Sequence, residues 1–289
     1  MKILKYYLSF AVILFITASC QKNDIEFSGQ IKFDPTTQAG FIVHHIVPLT
    51  DVVDNNYIRM VELNGDVIYR SNIATFNGAP SGSAGRYFTA PKGTSNLKLY
   101  TGVGSYPNIN YTLRVDKNIN LDAGQYYNVF IHDFNAEPVI VHNGYPYTKD
   151  PVYGDSCTYV KFCNFMYDNV GQPTTLKLQY KYQNHYNTSE WLNVGKAVAF
   201  GETTNWETIP MKRPAGIVNG AARVDYRIYV VDAAGNEIGR LQQMSSGGTY
   251  IDYTDWWTGT IGRRAHHIYC GYRHLGSGPK SDVRVFFAQ

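Results

Sequence analysis

The sequence predicts an all-β protein made of two tandem antiparallel β-sandwiches. Apolar and polar residues alternate along many short segments, as in a strand with one face on a core. The chain contains 24 Tyr, 14 Phe and 26 Gly, a composition that favours strands and tight turns over helices. No stretch carries a sustained helical period with caps. At 289 residues, the chain is long enough for two domains, each with its own core.

The alternation is clearest in the second half of the chain. In residues 176–182 the apolar and aromatic side chains alternate with Lys177, Gln179 and Lys181. Residues 224–230 repeat the pattern and lead into a run of turn residues. Both segments therefore read as strands with one polar face. Further strands are expected at 58–63, 66–69, 97–100, 111–115, 126–134, 159–165, 266–272 and 283–287.

A break in the pattern divides the two predicted sandwiches. Residues 143–156 contain two prolines and two glycines and show no alternation, which is typical of a linker. The sequence thus predicts five segments: a signal peptide at 1–19, a lipid-anchored tether at 20–30, a first sandwich at 31–142, the linker at 143–156 and a second sandwich at 157–289.

The two halves echo one another. Gly85–Gly93, which contains Pro91, is followed by a strand-like run, and the segment from Gly201 to Pro210 is followed later by another. The strand-like segments 126–132 and 266–272 also correspond. Two similar sandwiches in tandem account for the length better than one large barrel.

Part of this pattern resembles a known module. The hairpin signal Asn64-Gly65 and the Gly-x-Tyr-Phe-x-x-Pro-x-Gly run at 85–93 are similar to the immunoglobulin-like module called domain of unknown function 4397 in Bacteroidetes lipoproteins. Residues 159–164 and 199–210 resemble the opening strand and the middle of a second copy. The resemblance implies two immunoglobulin-like sandwiches in the cell envelope. It implies no chemistry, because the family's role is unassigned.

The N-terminal sequence predicts an export signal with a lipid anchor. Lys2 and Lys5 precede an apolar run at residues 6–16, and three residues with small or polar side chains then lead to Cys20. This is the order of a secretory signal, and the run is shorter than the roughly twenty residues of a membrane-spanning helix. A cysteine at this place resembles a bacterial lipobox, whose acylated thiol holds the mature chain to the bilayer. Cys20 is the expected lipid attachment site, and an ordinary secretory signal is the alternative.

The residues after Cys20 bear on where the chain is displayed. Lys22, Asp24 and Glu26 resemble the Lys-plus-acid signal that takes Bacteroidetes lipoproteins to the outer face of the outer membrane, although Asn23 and Ile25 interrupt the acidic run. The resemblance implies outer-membrane attachment facing the exterior.

The charge balance argues against nucleic acid as a partner. Without Lys2 and Lys5 the chain carries 24 basic and 23 acidic residues. Binding to nucleic acid normally needs a clustered basic surface that neutralises phosphates, and the sequence shows no such cluster.

No motif in the sequence points to catalysis, a metal or a cofactor. His44-His45 and His266-His267 are adjacent pairs, and adjacent strand residues point to opposite faces, so neither pair can easily chelate one ion. The metalloprotease, nucleophile-elbow and phosphate-loop motifs do not occur. We therefore expect a protein that is not an enzyme. A glycoside hydrolase is the least favoured alternative, resting on acidic residues at expected loops or strand ends: Glu190, Glu202, Glu207, Asp252 and Asp255.

Two readings stay open for the cysteines. Cys163 and Cys270 both lie in the middle of expected strands of one sandwich, in an oxidising compartment where a disulfide can form. Alternatively, they are buried thiols that behave as small hydrophobes.

The aromatic surplus is the one functional signal in the sequence. Trp256 and Trp257 are adjacent, so they cannot both face one core if their segment is extended, and Tyr250 and Tyr253 are close in sequence. Exposed rings at the end of a sandwich stack on sugars or anchor protein partners. We expect a non-catalytic binding module for a glycan or an envelope protein, with these four rings as candidate ligand-binding residues. The alternative is a structural or assembly component, fimbrial or associated with a transporter.

Overall fold

The regular structure of the protein is made of strands. The computed structural model describes ten segments of the chain: residues 33–48, 57–75, 87–105, 107–144, 157–169, 171–184, 190–211, 220–245, 247–275 and 282–288. No helix occurs among these residues, and the prediction of an all-β fold is confirmed. None of these segments forms an apolar helix long enough to cross a bilayer. The predicted signal peptide, Cys20 and the tether lie outside the described residues.

Among the described residues of the first half, eight strands form two four-stranded sheets. Sheet A has the order β4-β1-β7-β8, and sheet B has the order β3-β2-β5-β6. The predicted hairpin joins β2 to β3, and its Asn64 and Gly65 both have positive φ (53° and 90°), as a tight hairpin turn requires. The strands are β1 (Gln38–His45), β2 (Tyr57–Leu63), β3 (Asp66–Thr75), β4 (Phe88–Pro91), β5 (Gly93–Val103), β6 (Asn110–Leu121), β7 (Tyr126–Ile131) and β8 (Val139–His142).

In the part of the second half that the structure describes, thirteen strands form three sheets. They are β9 (Cys157–Asn169), β10 (Gln172–Pro173), β11 (Lys177–Asn184), β12 (Leu192–Asn193), β13 (Glu207–Pro210), β14 (Ala221–Val231), β15 (Glu237–Arg240), β16 (Gln242–Met244), β17 (Tyr250–Asp252), β18 (Asp255–Thr260), β19 (Arg264–Tyr272), β20 (His274–Leu275) and β21 (Asp282–Ala288). Sheet C has the order β10-β9-β19-β21, and β13 also pairs with β9. Sheet D has the order β12-β11-β14-β15, with β18 also on β14, and a small sheet E has the order β17-β16-β20.

The echo between the halves is a repeat of strand order. In sheet A, β1 pairs antiparallel with β4 and parallel with β7. In sheet C, β9 pairs antiparallel with β13 and parallel with β19. Pro91 and Pro210 end the two equivalent edge strands, opposite the first residues of β1 and β9. Most other pairs are antiparallel, so the β1–β7 and β9–β19 pairs are departures from the predicted purely antiparallel sandwiches.

Each half has its own apolar core between two sheets. The alternate residues Phe41, Val43 and Val129 of sheet A meet the inner side chains of sheet B. In the second half, Val160 and Phe162 of sheet C meet Leu178 and Tyr180 of sheet D, among others. These cores are the ones that the period-two alternation predicts.

A third cluster of buried side chains joins the two halves. Sheet A contributes residues from β1 and β7, and sheet C contributes residues from β9 and β19: Ile42, Ile46, Phe130, Cys163, Phe165, Ile268 and Cys270. Sheets A and C are therefore covered on both faces, which is why nearly every residue of β1 and β19 is buried. Sheets B, A, C and D stack in that order, and residues 34–289 form one compact unit.

Polar contacts reinforce this junction at the end of β8. The backbone oxygen of Asn143 accepts hydrogen bonds from Lys161 Nζ (3.1 Å) and Trp206 Nε1 (2.7 Å). Its side-chain Oδ1 lies 2.9 Å from His266 Nε2. Residues 145–156, most of the predicted linker, lie outside the described residues, and separate folding of the two sandwiches stays a prediction.

Candidate functional site

The four predicted binding rings do not form one surface. Trp256 is 50% exposed and Tyr250 is 47% exposed, whereas Trp257 and Tyr253 are 5% and 7% exposed and belong to the core of the second sandwich. Strand β18 places the two tryptophans on opposite sides, because successive residues of a strand point to opposite faces. Trp257 packs edge-on against His267 at 4.8 Å between ring centroids. The candidate set is thus corrected: Trp257 and Tyr253 are structural.

Tyr253 is held inside by its hydroxyl group. Its oxygen lies 2.7 Å from the hydroxyl of Tyr226 and donates to Asp255 Oδ2 at 3.0 Å. Burial raises the pKa of Tyr226 well above its ordinary value, so the Tyr226 hydroxyl stays protonated. A buried hydroxyl without a hydrogen-bond partner would cost free energy. The Tyr226 and Tyr253 hydroxyls avoid this cost by bonding to each other.

The register of β9 and β19 decides between the two readings of the cysteines. Ile268 lies opposite Cys163, and Cys270 lies opposite Phe165. This offset of two residues separates the two cysteine Cα atoms by about 8 Å, beyond the roughly 7 Å reach of a disulfide. Neither sulfur is in a disulfide. Burial raises the pKa of the Cys163 thiol to about 12, which makes it unreactive.

The adjacent histidines point to opposite faces of sheet C. His266 turns toward Asn143 at the junction, and His267 Nδ1 lies 2.8 Å from the Tyr180 hydroxyl in the second core. Burial lowers the pKa of both imidazoles, to about 3 for His267. Across the described residues no group of His, Cys, Asp or Glu could hold a metal ion.

Three of the acidic residues named for glycoside hydrolysis make structural contacts. Glu202 Oε2 accepts from the Ala199 backbone at 3.1 Å. Asp252 Oδ2 accepts from Arg240 Nε at 2.8 Å, and Asp255 accepts from tyrosine hydroxyls and the Trp256 backbone. Each of these three carboxylates stabilises a local turn or strand end.

A different surface carries three aromatic rings, and it is the side of sheet D that faces away from the core: Trp256 is exposed there, and Trp191 and Tyr229 are partly buried. Strands β11 and β14 are antiparallel neighbours in continuous register from Lys177–Val231 to Asn184–Val224. Their inner residues fill the core, so the remaining residues stand on the opposite side, which we call the outer face. Its members on these two strands include Lys177, Gln179, Lys181, Arg223, Asp225, Arg227 and Tyr229.

Aromatic rings and cations alternate along this outer face. Arg223 lies over the Trp256 ring at 5.0 Å from its centroid, Arg227 lies over Trp191 at 3.9 Å, and Lys181 lies over Tyr229 at 4.5 Å. Such cation–π contacts hold both partners in place. The result is a row of oriented rings on a rigid sheet.

One end of the row opens into a cavity of roughly 660 Å³. Its floor includes Lys177 and Gln179. One wall is the segment 195–197. Asn193 and Val198, on either side of this segment, both pair with β11, and the segment arches out between them. The other wall is the turn between β14 and β15, with Gly235 and Glu237. From Val231 at the cavity to Arg223 beside Trp256 the face extends about 26 Å, long enough for several sugar rings or a peptide.

No protein-family model matches the chain, and no curated protein matches it. The resemblance to the immunoglobulin-like lipoprotein module therefore stays a prediction. The function proposed below is therefore based on the chemistry of the residues at the site.

Part of this outer face was predictable from the sequence. The alternation in residues 176–182 already separated Lys177, Gln179 and Lys181 from the core side. It could not show that β11 and β14 are neighbours, since that pairing joins residues about fifty positions apart. Trp191 and Tyr229 were missed for the same reason.

Proposed function

We propose that the protein is a lipid-anchored lipoprotein on the surface of the bacterial outer membrane and that it binds glycans, without catalysis, through the outer face of sheet D. The observation that carries the binding proposal is the row of Trp191, Tyr229 and Trp256 beside a cavity on one rigid sheet.

The chemistry of the outer face suits a sugar chain. The apolar face of a pyranose packs against an aromatic ring, and an indole or phenol ring supplies a large contact area at low cost in side-chain entropy. Sugar hydroxyls need donors and acceptors at the same time, which Gln179 and Asn193 offer at the cavity. Exposed rings and a few convergent polar groups together are what a ligand site requires.

Retention of glycans tests the binding proposal. Trp256→Ala and Trp191→Ala should each weaken retention by about fivefold, since stacking on an aromatic ring contributes on the order of 1 kcal/mol. The matched control is Tyr57→Ala, because Tyr57 also has an arginine over its ring, Arg59 at 5.3 Å, but belongs to the first sandwich. Equal loss in all three variants, or no retained glycan, would favour the assembly role.

The anchoring proposal rests on the lipobox at Cys20 and has separate tests. Labelled palmitate should enter the wild-type chain and not Cys20→Ala. Protease added to intact cells should remove the wild type, and replacing Lys22 and Asp24 by Ala should leave the protein protected inside. Incorporation of palmitate into Cys20→Ala, or full protection of the wild type, would contradict this part of the proposal.

A further inference from the structure

The outer face of sheet D carries an excess of positive charge. Among its side chains on β11 and β14, four are cations (Lys177, Lys181, Arg223, Arg227) and one is an acid, Asp225. The chain beyond its signal segment is nearly neutral, with 24 basic and 23 acidic residues. The excess is therefore a property of this face and not of the composition.

Ion pairs neutralise only part of this charge. Arg223 pairs with Asp225 at 2.6 Å, and Lys181 pairs with Glu237 at 2.5 Å. Lys177 and Lys196 both line the cavity, and within the described residues neither takes part in an ion pair. Because Lys181 already engages Glu237, the acid of the cavity, these two ammonium groups are available to a ligand.

Gln179, which lines the same cavity, is fixed in orientation. Its side chain is 6% exposed, and its Nε2 donates to the backbone oxygens of Tyr180 (3.0 Å) and Gly195 (3.2 Å). An amide nitrogen has two hydrogens, so both are used, and Oε1 is the atom left to accept a hydrogen bond in the cavity. A hydroxyl group is the ligand donor that suits it.

We propose that this cavity binds an acidic sugar residue, such as a uronic acid within a polysaccharide. Lys177 and Lys196 would bind the carboxylate, Gln179 Oε1 would accept from a ring hydroxyl, and Tyr229, opposite Gln179 in the sheet register, would contact the sugar ring. This inference rests on the proposed function and names the ligand class. The neighbouring aromatic row favours a sugar polymer over a small inorganic anion, which would use only the lysines.

The test compares acidic polymers with their neutral forms. Polygalacturonate, alginate and hyaluronan are each offered to the mature protein beside the same polymer with its carboxylates methyl-esterified. We expect at least one acidic polymer to bind about tenfold more tightly than its ester, because two ammonium–carboxylate contacts are lost and several repeats act together. Raising NaCl from about 50 to about 500 mM should reduce that preference, since salt screens exposed charges.

Variants locate the effect. Replacing Lys177 and Lys196 together by Gln should reduce binding of the acidic polymer to the level of its ester and leave ester binding unchanged. The control replaces Lys92 and Arg70 of the first sandwich by Gln, which removes the same charge from another exposed surface, and should have no effect.

The outcomes separate this inference from the proposal on which it rests. Equal binding of an acidic polymer and its ester, both weakened by Trp256→Ala, overturns the acidic-sugar inference and supports glycan binding. An acid preference that survives the Lys177 and Lys196 replacement also overturns the inference. Binding of none of the six polymers overturns it as well, while retention of a different neutral glycan would keep the proposed function.

Discussion

Trp256 and Trp257 show how one residue step decides between a ligand contact and a core contact. Both are large aromatic side chains on β18, yet one is half exposed and the other is buried against His267. The sequence predicts that only one of the two can face the core, but it cannot say which. That choice follows from the pairing of β18 with β14, where Trp257 lies opposite the buried Val224.

The two tryptophans should differ sharply in their effect on stability. Trp257→Ala should lower the free energy of unfolding by about 3–5 kcal/mol, as expected for truncation of a buried aromatic ring. Trp256→Ala should cost about 1 kcal/mol or less, because that ring makes mainly a surface contact with Arg223. Chemical denaturation of both variants measures the difference. Similar losses would show that both rings are structural.

Two buried histidines should make stability depend on pH. His266 and His267 are neutral in the folded chain because burial lowers their pKa, to about 3 for His267, whereas an unfolded histidine titrates near 6.5. Below about pH 6.5 the unfolded state therefore binds protons that the folded state does not, and stability falls as the pH falls toward 3. Between pH 7 and pH 5 the two residues together should remove about 3–4 kcal/mol.

The variant His267→Phe separates this effect from other titrating groups. It should lose one of the two contributions, so that stability falls by about 2 kcal/mol less than in the wild type over the same pH range. Denaturation curves at pH 7 and pH 5 provide the measurement for both proteins. Parallel pH dependence in the two would contradict the burial argument.

At the scale of elements, strands were predictable where their environment is simple. Strands β11 and β14 alternate because each has one face on a core and one in water, and the Asn64-Gly65 hairpin follows from local backbone preference. The cavity was not predictable, because it depends on the segment 195–197 arching away from an edge strand. Nothing in the local sequence specifies which strand that segment flanks.

Gly195 is the residue on which this arch depends. It has φ +58°, and a Cβ there would lie 3.0 Å from Glu207 Oε1 and 3.2 Å from Thr204 Cβ. Gly171 has a similar φ of +69°, but a Cβ on that residue would meet nothing within 4 Å. Both alanine variants should lose about 1–2 kcal/mol from backbone strain, and Gly195→Ala should lose more because of crowding.

Binding provides the second measurement for this pair of variants. Gly195→Ala should also weaken binding at the cavity, since it displaces the wall that holds Gln179, whereas Gly171→Ala should leave binding unchanged. If the two variants behave alike in both assays, the arch does not shape the site.

At the scale of the whole molecule, the sequence showed that the two halves echo one another, but not their strand order or the packing between them. Pro91 and Pro210, which stand in two of the echoed segments, end equivalent edge strands in the structure. The junction between sheets A and C was missed because a strand buried on both faces shows no alternation to indicate a second partner. Ile42, Phe130 and Phe165 are core residues that belong to neither sandwich alone.

This junction should keep the halves together after the chain is cut. A protease site placed at residue 150, within the predicted linker, should give two fragments that co-elute in gel filtration, because the shared cluster buries apolar side chains from both. Adding Phe130→Ala and Phe165→Ala, each costing about 3–5 kcal/mol, should separate them. Fragments that separate without these substitutions would contradict a shared core.

The outer face of sheet D is the proposed ligand site. Hydrogen–deuterium exchange of the mature protein with and without a retained glycan tests it most directly. We predict slower exchange in peptides covering residues 177–183, 190–197 and 223–231, with the first sandwich unchanged. Protection confined to the first sandwich, or protection at β17 without the outer face, would contradict the account.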